Sequence, residues 1–223
     1  MIEDLKNDIL KGEDIGIILI KALEIATKLD LNDFKQWILN EMNGYEDFEN
    51  LPDYRIVSCE VVYGSKNGPN IVPIAYDPHE IGLDVRIHDI LTKMYLKLSI
   101  SEISENYNKF EDYVVLTVPQ VVNDIINSIS QVKVEVYQQV SLSKLKYIMD
   151  QVKSKIFSWC LELEKSGLVG FKNTDKESAN TIVFNNIINI ENLNFTEINQ
   201  DLNEIRINVE NIDNSRDCHK IIL

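Results

Sequence analysis

Apolar residues recur at steps of three and four through residues 1–45: Ile2, Leu5 and Ile9, then Ile18, Ala22, Ile25, Ala26 and Leu29, then Phe34, Trp37, Ile38 and Met42. This is the helical period, so the chain is expected to open with three helices. The third starts at Asn32 or Asp33, either of which supplies a capping oxygen, and stops at Asn43-Gly44, where glycine can take the left-handed conformation that ends a helix. A polar loop over residues 46–52 closes this unit. Residues 55–63, rich in Val, Ile and Tyr and followed by a Gly- and Asn-containing turn, predict a strand, with residues 71–75 pairing back onto it. Leu83, Val85 and Ile87 alternate and predict a further strand, whereas Ile90, Leu91, Met94 and Leu98 suit a helix after it. Residues 113–118 and 132–140 are β-like runs, and Pro119 at a first turn predicts a helix as far as Ile129 between them.

The longest periodic run carries Leu145, Ile148, Val152, Ile156, Trp159 and Leu163 on one stripe and ends at Ser166-Gly167. Such a stripe packs against a core, and Lys144, Lys146, Lys153 and Lys155 fall mostly elsewhere on the surface. Residues 171–223 differ in character, being rich in Asn and Ile and free of Pro and Gly. Within them residues 181–190 suit a strand. Phe195, Ile198, Leu202, Ile205, Val209 and Ile212 form a short heptad seam, which reads either as an oligomerisation helix or as an amphipathic segment packed on its own domain. The order of segments implies an α+β fold: an N-terminal helical unit, a small antiparallel sheet, a long amphipathic helix and an Asn/Ile-rich C-terminal tail. We expect one domain over residues 1–170 and a separate tail over 171–223 that serves as a candidate oligomerisation element.

At 223 residues the chain is long enough to bury a core. Its 36 acidic against 22 basic residues give a net charge of −14, which repels phosphate backbones and anionic membrane surfaces. Nucleic acid is therefore an unfavoured partner. Cys59, Cys160 and Cys218 are odd in number and widely spaced, so no disulfide framework is implied and a reducing, cytoplasmic setting is expected. The longest apolar stretch, residues 15–26, is broken by Lys21 and Glu24, short of the roughly 18 to 20 residues that a membrane span needs.

Most recognisable chemistry is absent from the sequence. His79, His88 and His219 are isolated and no H-E-x-x-H is present; there is neither a phosphate-cradling glycine loop nor a G-x-S-x-G elbow. Pro52-Asp53 is followed by Glu60-Val61-Val62, without the lysine of a restriction-type nuclease, and no arginine precedes a histidine at the spacing of helical defence ribonucleases. Two clusters remain. Asp77, Glu80, Asp84 and Asp89, interleaved with His79 and His88, read either as a site for a divalent metal or as the ordinary density of carboxylates in an acidic chain. Asp53, Tyr54 and Arg55 stand out because arginine is scarce, and Arg55 reads either as a fork onto a ligand or as a salt bridge tying the loop to the helical unit.

The run Trp37-Ile38-Leu39-Asn40-Glu41-Met42-Asn43-Gly44-Tyr45, followed by Leu51-Pro52-Asp53-Tyr54-Arg55, resembles the AbiTii domain family, associated with abortive infection and other antiphage systems. The family pattern is W-x-x-x-E-L-N-G-Y, an acidic loop, then P-x-Y-R; only Met42 departs from it, a volume-conserving change. A second stretch, residues 152–170 with Trp159, Glu162 and Glu164, is similar to the family's later helix, with Lys153 standing where arginine is usual. The motif residues are thus Trp37, Glu41, Asn43, Gly44, Tyr45, Pro52, Tyr54, Arg55, Trp159, Glu162 and Glu164. Residue chemistry assigns most of them to a helix-loop-strand corner, with Asn43 and Glu41 satisfying backbone groups at the helix stop and Tyr54 and Arg55 as the binding candidates. The resemblance implies a cytoplasmic antiphage protein and carries over no catalytic residue, metal or cofactor. The expected action is that of a non-catalytic effector or sensor that self-associates or binds a phage or host protein; a metal-dependent nuclease using residues 77–89 and a small-molecule-binding module are the alternatives.

Overall fold

A computed structural model describes residues 1–47, 51–64, 72–73, 85–118, 120–129 and 135–165. In chain order the elements are α1 (Ile2–Lys11), α2 (Ile15–Lys28), α3 (Asn32–Asn43), a 3₁₀ turn (Asp53–Arg55), β1 (Ile56–Ser58), β2 (Glu60–Tyr63), β3 (Val72–Pro73), α4 (Val85–Thr92), β4 (Lys93–Tyr95), α5 (Ile100–Lys109), β5 (Tyr113–Thr117), α6 (Gln120–Ile129), β6 (Val136–Ser141) and α7 (Leu142–Lys165). The fold is α+β, with helices and small antiparallel sheets as the segment order implies. Two compact units divide it: the described residues of 1–56, 96–111 and 142–165 form a helical unit, and those of 57–95 and 112–141 form a sheet unit.

In the helical unit the end of α1 and the start of α2 each have an identifiable cause. Gly12, at φ 77°, closes α1 in the left-handed region, and the Asp14 carboxylate caps α2 by accepting the N–H groups of Gly16 (2.8 Å) and Ile17 (3.4 Å). Lys21 pairs with Asp8 across α1 and α2, while Lys6 reaches Glu164 of α7 at 2.8 Å. The predicted α7 stripe is part of the core: Leu145, Ile148, Val152, Ile156, Trp159 and Leu163 are all buried, as are Leu5, Ile18, Phe34, Ile38 and Ile103 of the same unit. Each such aliphatic contributes about 1.5 to 3 kcal/mol by leaving water. Phe34 anchors the aromatic part, 5.3 Å from Trp37 in a stacked pair and 4.1 Å from Trp159 in a tilted one.

In the sheet unit the strand order is β3-β2-β6-β5, antiparallel throughout, and β1 pairs with β4 separately. Tyr63 lies opposite Val72 and Val62 opposite Pro73. The hydrogen-bonding alternation explains that placement, because Val62 turns its backbone to β6 and leaves the proline, which has no N–H, at a position that needs none. Gln138 sits buried on β6 and donates its side-chain amide to the carbonyls of Ile90 (2.7 Å) and Leu91 (3.0 Å) in the last turn of α4 and of Lys93 (3.0 Å) at the start of β4.

Several expectations are corrected. Val85 and Ile87, expected in a strand with Leu83, lie in α4, Leu83 being outside the described residues; the helix expected over Ile90, Leu91, Met94 and Leu98 holds for the first two, and Met94 and Leu98 lie in β4 and a coil. Three alternating residues satisfy either period, and pairing with β1 decides the second segment. The single strand expected over 55–63 is a 3₁₀ turn and two strands broken at Cys59, whose N–H leaves for the carbonyl of Thr92. The residue before the first turn of α3 is Leu31, with no side-chain cap, so neither Asn32 nor Asp33 caps it. α5 was not expected at all, although Ser99 and Glu102 form a capping box at its start. Among the described residues no helix is long and apolar enough to cross a membrane. The expected strand at 181–190, the heptad seam and most of the acidic segment lie outside the described residues.

Candidate functional site

The motif residues converge at the end of α3 because Gly44 turns the chain there. Its φ of 88° is open to glycine, and a Cβ would lie 2.7 Å from the carbonyl oxygen of Lys97. The close approach lets Tyr45 donate its N–H to that same carbonyl at 2.8 Å and fold its side chain back over the helix. Pro52 is buried and leads into the 3₁₀ turn, which delivers Tyr54 and Arg55 to the same place.

Glu41 is the hub. Its Oε1 accepts the hydroxyls of Tyr45 and Tyr54, each at 2.6 Å, and the Arg55 Nε at 3.3 Å; its Oε2 accepts Arg55 Nη2. Arg55 Nη1 donates to the carbonyls of Leu96, at 3.1 Å, and Leu98. Trp37 donates its indole N–H to the Tyr54 hydroxyl at 3.0 Å. The guanidinium carbon also lies 5.1 Å above the Tyr45 ring, and the Lys155 ammonium 5.4 Å from the Tyr54 ring centre. Glu41 and Arg55 are fully buried, and Tyr45 and Tyr54 nearly so.

The electrostatics follow from burial around one charge pair. Burial, and then the adjacent Glu41 carboxylate, push both tyrosine hydroxyls well above their ordinary range. Burial alone would disfavour the Arg55 cation, but the Glu41 carboxylate outweighs it and raises the arginine pKa. Burial lowers that of Lys155, with Asp53 and Glu41 pulling the other way.

The structure thus gathers Trp37, Glu41, Gly44, Tyr45, Pro52, Tyr54 and Arg55 into one corner. It does not gather the rest. Asn43 is exposed, Trp159 lies in the core with its indole nitrogen unpartnered, Glu162 is half-buried on α7, and Glu164 holds Lys6. Lys153 donates to the carbonyl of Glu13 at 3.0 Å, a single bond that needs no guanidinium fork. Of the two readings of Arg55, the salt bridge to the helical unit is present. Glu41 does not satisfy the helix stop as expected; its carboxylate is taken by three side chains. Helical spacing does not foretell this pairing, because α3 ends at Asn43 and Tyr45 returns to Glu41 only through the turn at Gly44.

Asp77, His79, Glu80 and Asp84 lie outside the described residues, while His88 and Asp89 sit on α4, with Asp89 3.2 Å from Lys93. Among the described residues no three His, Cys, Asp or Glu side chains are grouped to hold a metal.

These elements define an α+β protein whose first motif locks a helix-turn-strand corner around a buried ion pair. The AbiTii family profile matches residues 1–184, and the chain belongs to that family, whose association is with abortive-infection defence against phage. Neither a curated protein nor a solved structure matches it.

Proposed function

We propose that the protein acts in abortive-infection defence as a non-catalytic effector or sensor, working through self-association or through binding a phage or host protein. The observation that carries this reading is the use of the first motif's polar side chains. Glu41, Arg55, Tyr45, Tyr54 and Trp37 direct their hydrogen bonds at one another and at the Leu96 and Leu98 carbonyls. A catalytic group must reach its substrate, and a guanidinium consumed in this way does not. On this reading Tyr54 and Arg55 hold the corner in shape, and the working surfaces lie elsewhere, including the seam of residues 195–212 in the tail that follows residue 170.

The test is inducible expression in a phage-sensitive bacterium, counting plaques and surviving cells. Wild-type protein should protect the culture while infected cells die. Leu202→Asp combined with Ile205→Asp should abolish protection and lower the light-scattering mass of the full chain. Protection and mass both unchanged would remove the tail from the mechanism; loss of protection on His88→Ala, with folding intact by circular dichroism, would favour the nuclease alternative.

A further inference from the structure

Among the described residues the four-stranded sheet ends at β5, and the outward-facing backbone of that strand can be identified from the register. Gly64 donates its N–H to the carbonyl of Glu135, so Glu135 faces β2. Backbone groups alternate along a strand, so Val136, Gln138 and Val140 face the other way, toward β5. The Val136 N–H confirms the direction: past the end of β5 it is received by Asn123 of α6 at 3.3 Å. Val140 lies opposite Val114 and Gln138 opposite Leu116. Val114 and Leu116 therefore carry the hydrogen bonds to β6, and Tyr113, Val115 and Thr117 turn their N–H and C=O groups away from β6. Among the described residues nothing pairs with them.

Natural edges are usually blunted by lysine, proline or a bulge. β5, Tyr-Val-Val-Leu-Thr, contains no charge and no proline, and Tyr113 is exposed. We propose that this edge pairs antiparallel with β5 of a second copy about a two-fold axis at Val115, joining two four-stranded sheets edge to edge. The geometry selects that partner and that direction. The three outward residues are symmetric about Val115, so one register sets Tyr113 against Thr117, Val115 against Val115 and Thr117 against Tyr113, every one a hydrogen-bonded pair. It also sets an aromatic ring beside a β-branched side chain twice. Charge points the same way. Glu111 and Asp112 precede the strand, and antiparallel pairing keeps those of the two copies at opposite ends, where parallel pairing would stack like charges. Two-fold contacts of this isologous kind are the commonest route to a dimer. This association is separate from the seam at residues 195–212 and stands or falls without it.

Sedimentation velocity of the full chain across a concentration series tests the idea. Wild-type protein should show a concentration-dependent dimer. Val115→Lys and Val115→Glu each place like charges face to face on the axis and should weaken the dimer at least ~10-fold; mixed in equal amounts they should restore it. Val115→Cys, with its Cα atoms about 5.5 Å apart across such a pair, should give a disulfide-linked dimer on oxidation that wild-type protein and Tyr63→Cys do not. Association at wild-type strength in Val115→Lys would overturn the proposal, even if substitutions at Leu202 and Ile205 abolish association and so support the tail. A wild-type monomer at every concentration, or no cross-link at Val115→Cys, would also overturn it.

Discussion

Glu41 and Arg55 form an ion pair in which neither side chain touches solvent, with two tyrosine hydroxyls completing the carboxylate and two carbonyls completing the guanidinium. Such a pair is stable only as a set. Arg55→Met leaves an uncompensated buried carboxylate, and Glu41→Gln leaves an uncompensated guanidinium; each should cost about 3 to 5 kcal/mol. The double variant should cost clearly less than the two costs added, because the second change removes the charge that the first one stranded. Urea unfolding followed by circular dichroism measures all three, and simple additivity would show that the two residues are not coupled.

Gly44 and Gly12 both have positive φ, but only Gly44 is crowded. A Cβ at Gly12 meets nothing within 4 Å, while at Gly44 it meets backbone at 2.7 and 3.2 Å. Gly12→Ala should therefore carry only the conformational cost, about 1 to 2 kcal/mol. Gly44→Ala must in addition push Tyr45 and the segment at Lys97 apart, disturbing the ion pair, and should lower the melting temperature further. Equal melting temperatures for the two variants would mean that the close approach at Lys97 does not constrain the fold.

What was legible in the sequence follows from how local each signal is. α1, α2, α3 and α7 are set by periodic apolar runs, and the Gly44 stop by one residue type, so both could be read directly. Residues 83–98 could not, because three alternating apolar residues fit two periods and only pairing with β1 separates α4 from β4. The corner was half legible. Arg55 and Tyr54 drew attention through scarcity and the family motif, but the acceptor common to both is Glu41, more than a dozen residues earlier in the chain, and nothing local announces that a glutamate at a helix end turns inward.

Ser99 and Glu102 carry the one capping signature that the periodicity concealed. The Ser99 hydroxyl accepts the Glu102 N–H at 3.2 Å, and the Glu102 carboxylate accepts the Ser99 N–H at 2.9 Å. Ser99→Ala removes the side-chain half and should cost about 1 kcal/mol. The Ser99 hydroxyl and N–H hold the Glu102 carboxyl below its usual range, so this contribution is present above the unfolded carboxyl's pKa and fades as pH falls. Denaturant midpoints at pH 7 and pH 3 separate the two cases: the gap between wild type and Ser99→Ala should narrow in acid. A gap equally wide at both would mean that the carboxylate takes no part in the cap.

The same buried corner sets an alkaline limit. Tyr45 and Tyr54 keep their protons well above the ordinary tyrosine range in the folded protein, chiefly through burial, whereas in the unfolded chain both titrate near pH ~10. Above that point the unfolded state binds fewer protons than the folded one, so stability falls as pH rises, by about 1.4 kcal/mol per pH unit for each tyrosine. Cys160, pushed up by burial to about 12, and Cys59, to about 11, begin the same trend where unfolded thiols ionise. Lys155 works in the opposite sense, since burial disfavours its cation and that penalty lifts as pH rises, but it is one half-buried group against these four and Tyr95, whose hydroxyl burial also raises. Melting temperatures from pH 7 to 11 should therefore be level at first and then fall steeply. Tyr45→Phe combined with Tyr54→Phe should lower the plateau, because Glu41 loses two donors, and flatten the alkaline fall. A wild-type melting temperature that stays level to pH 11 would mean that these hydroxyls ionise as readily in the folded chain as in the unfolded one, and that the corner is open to water.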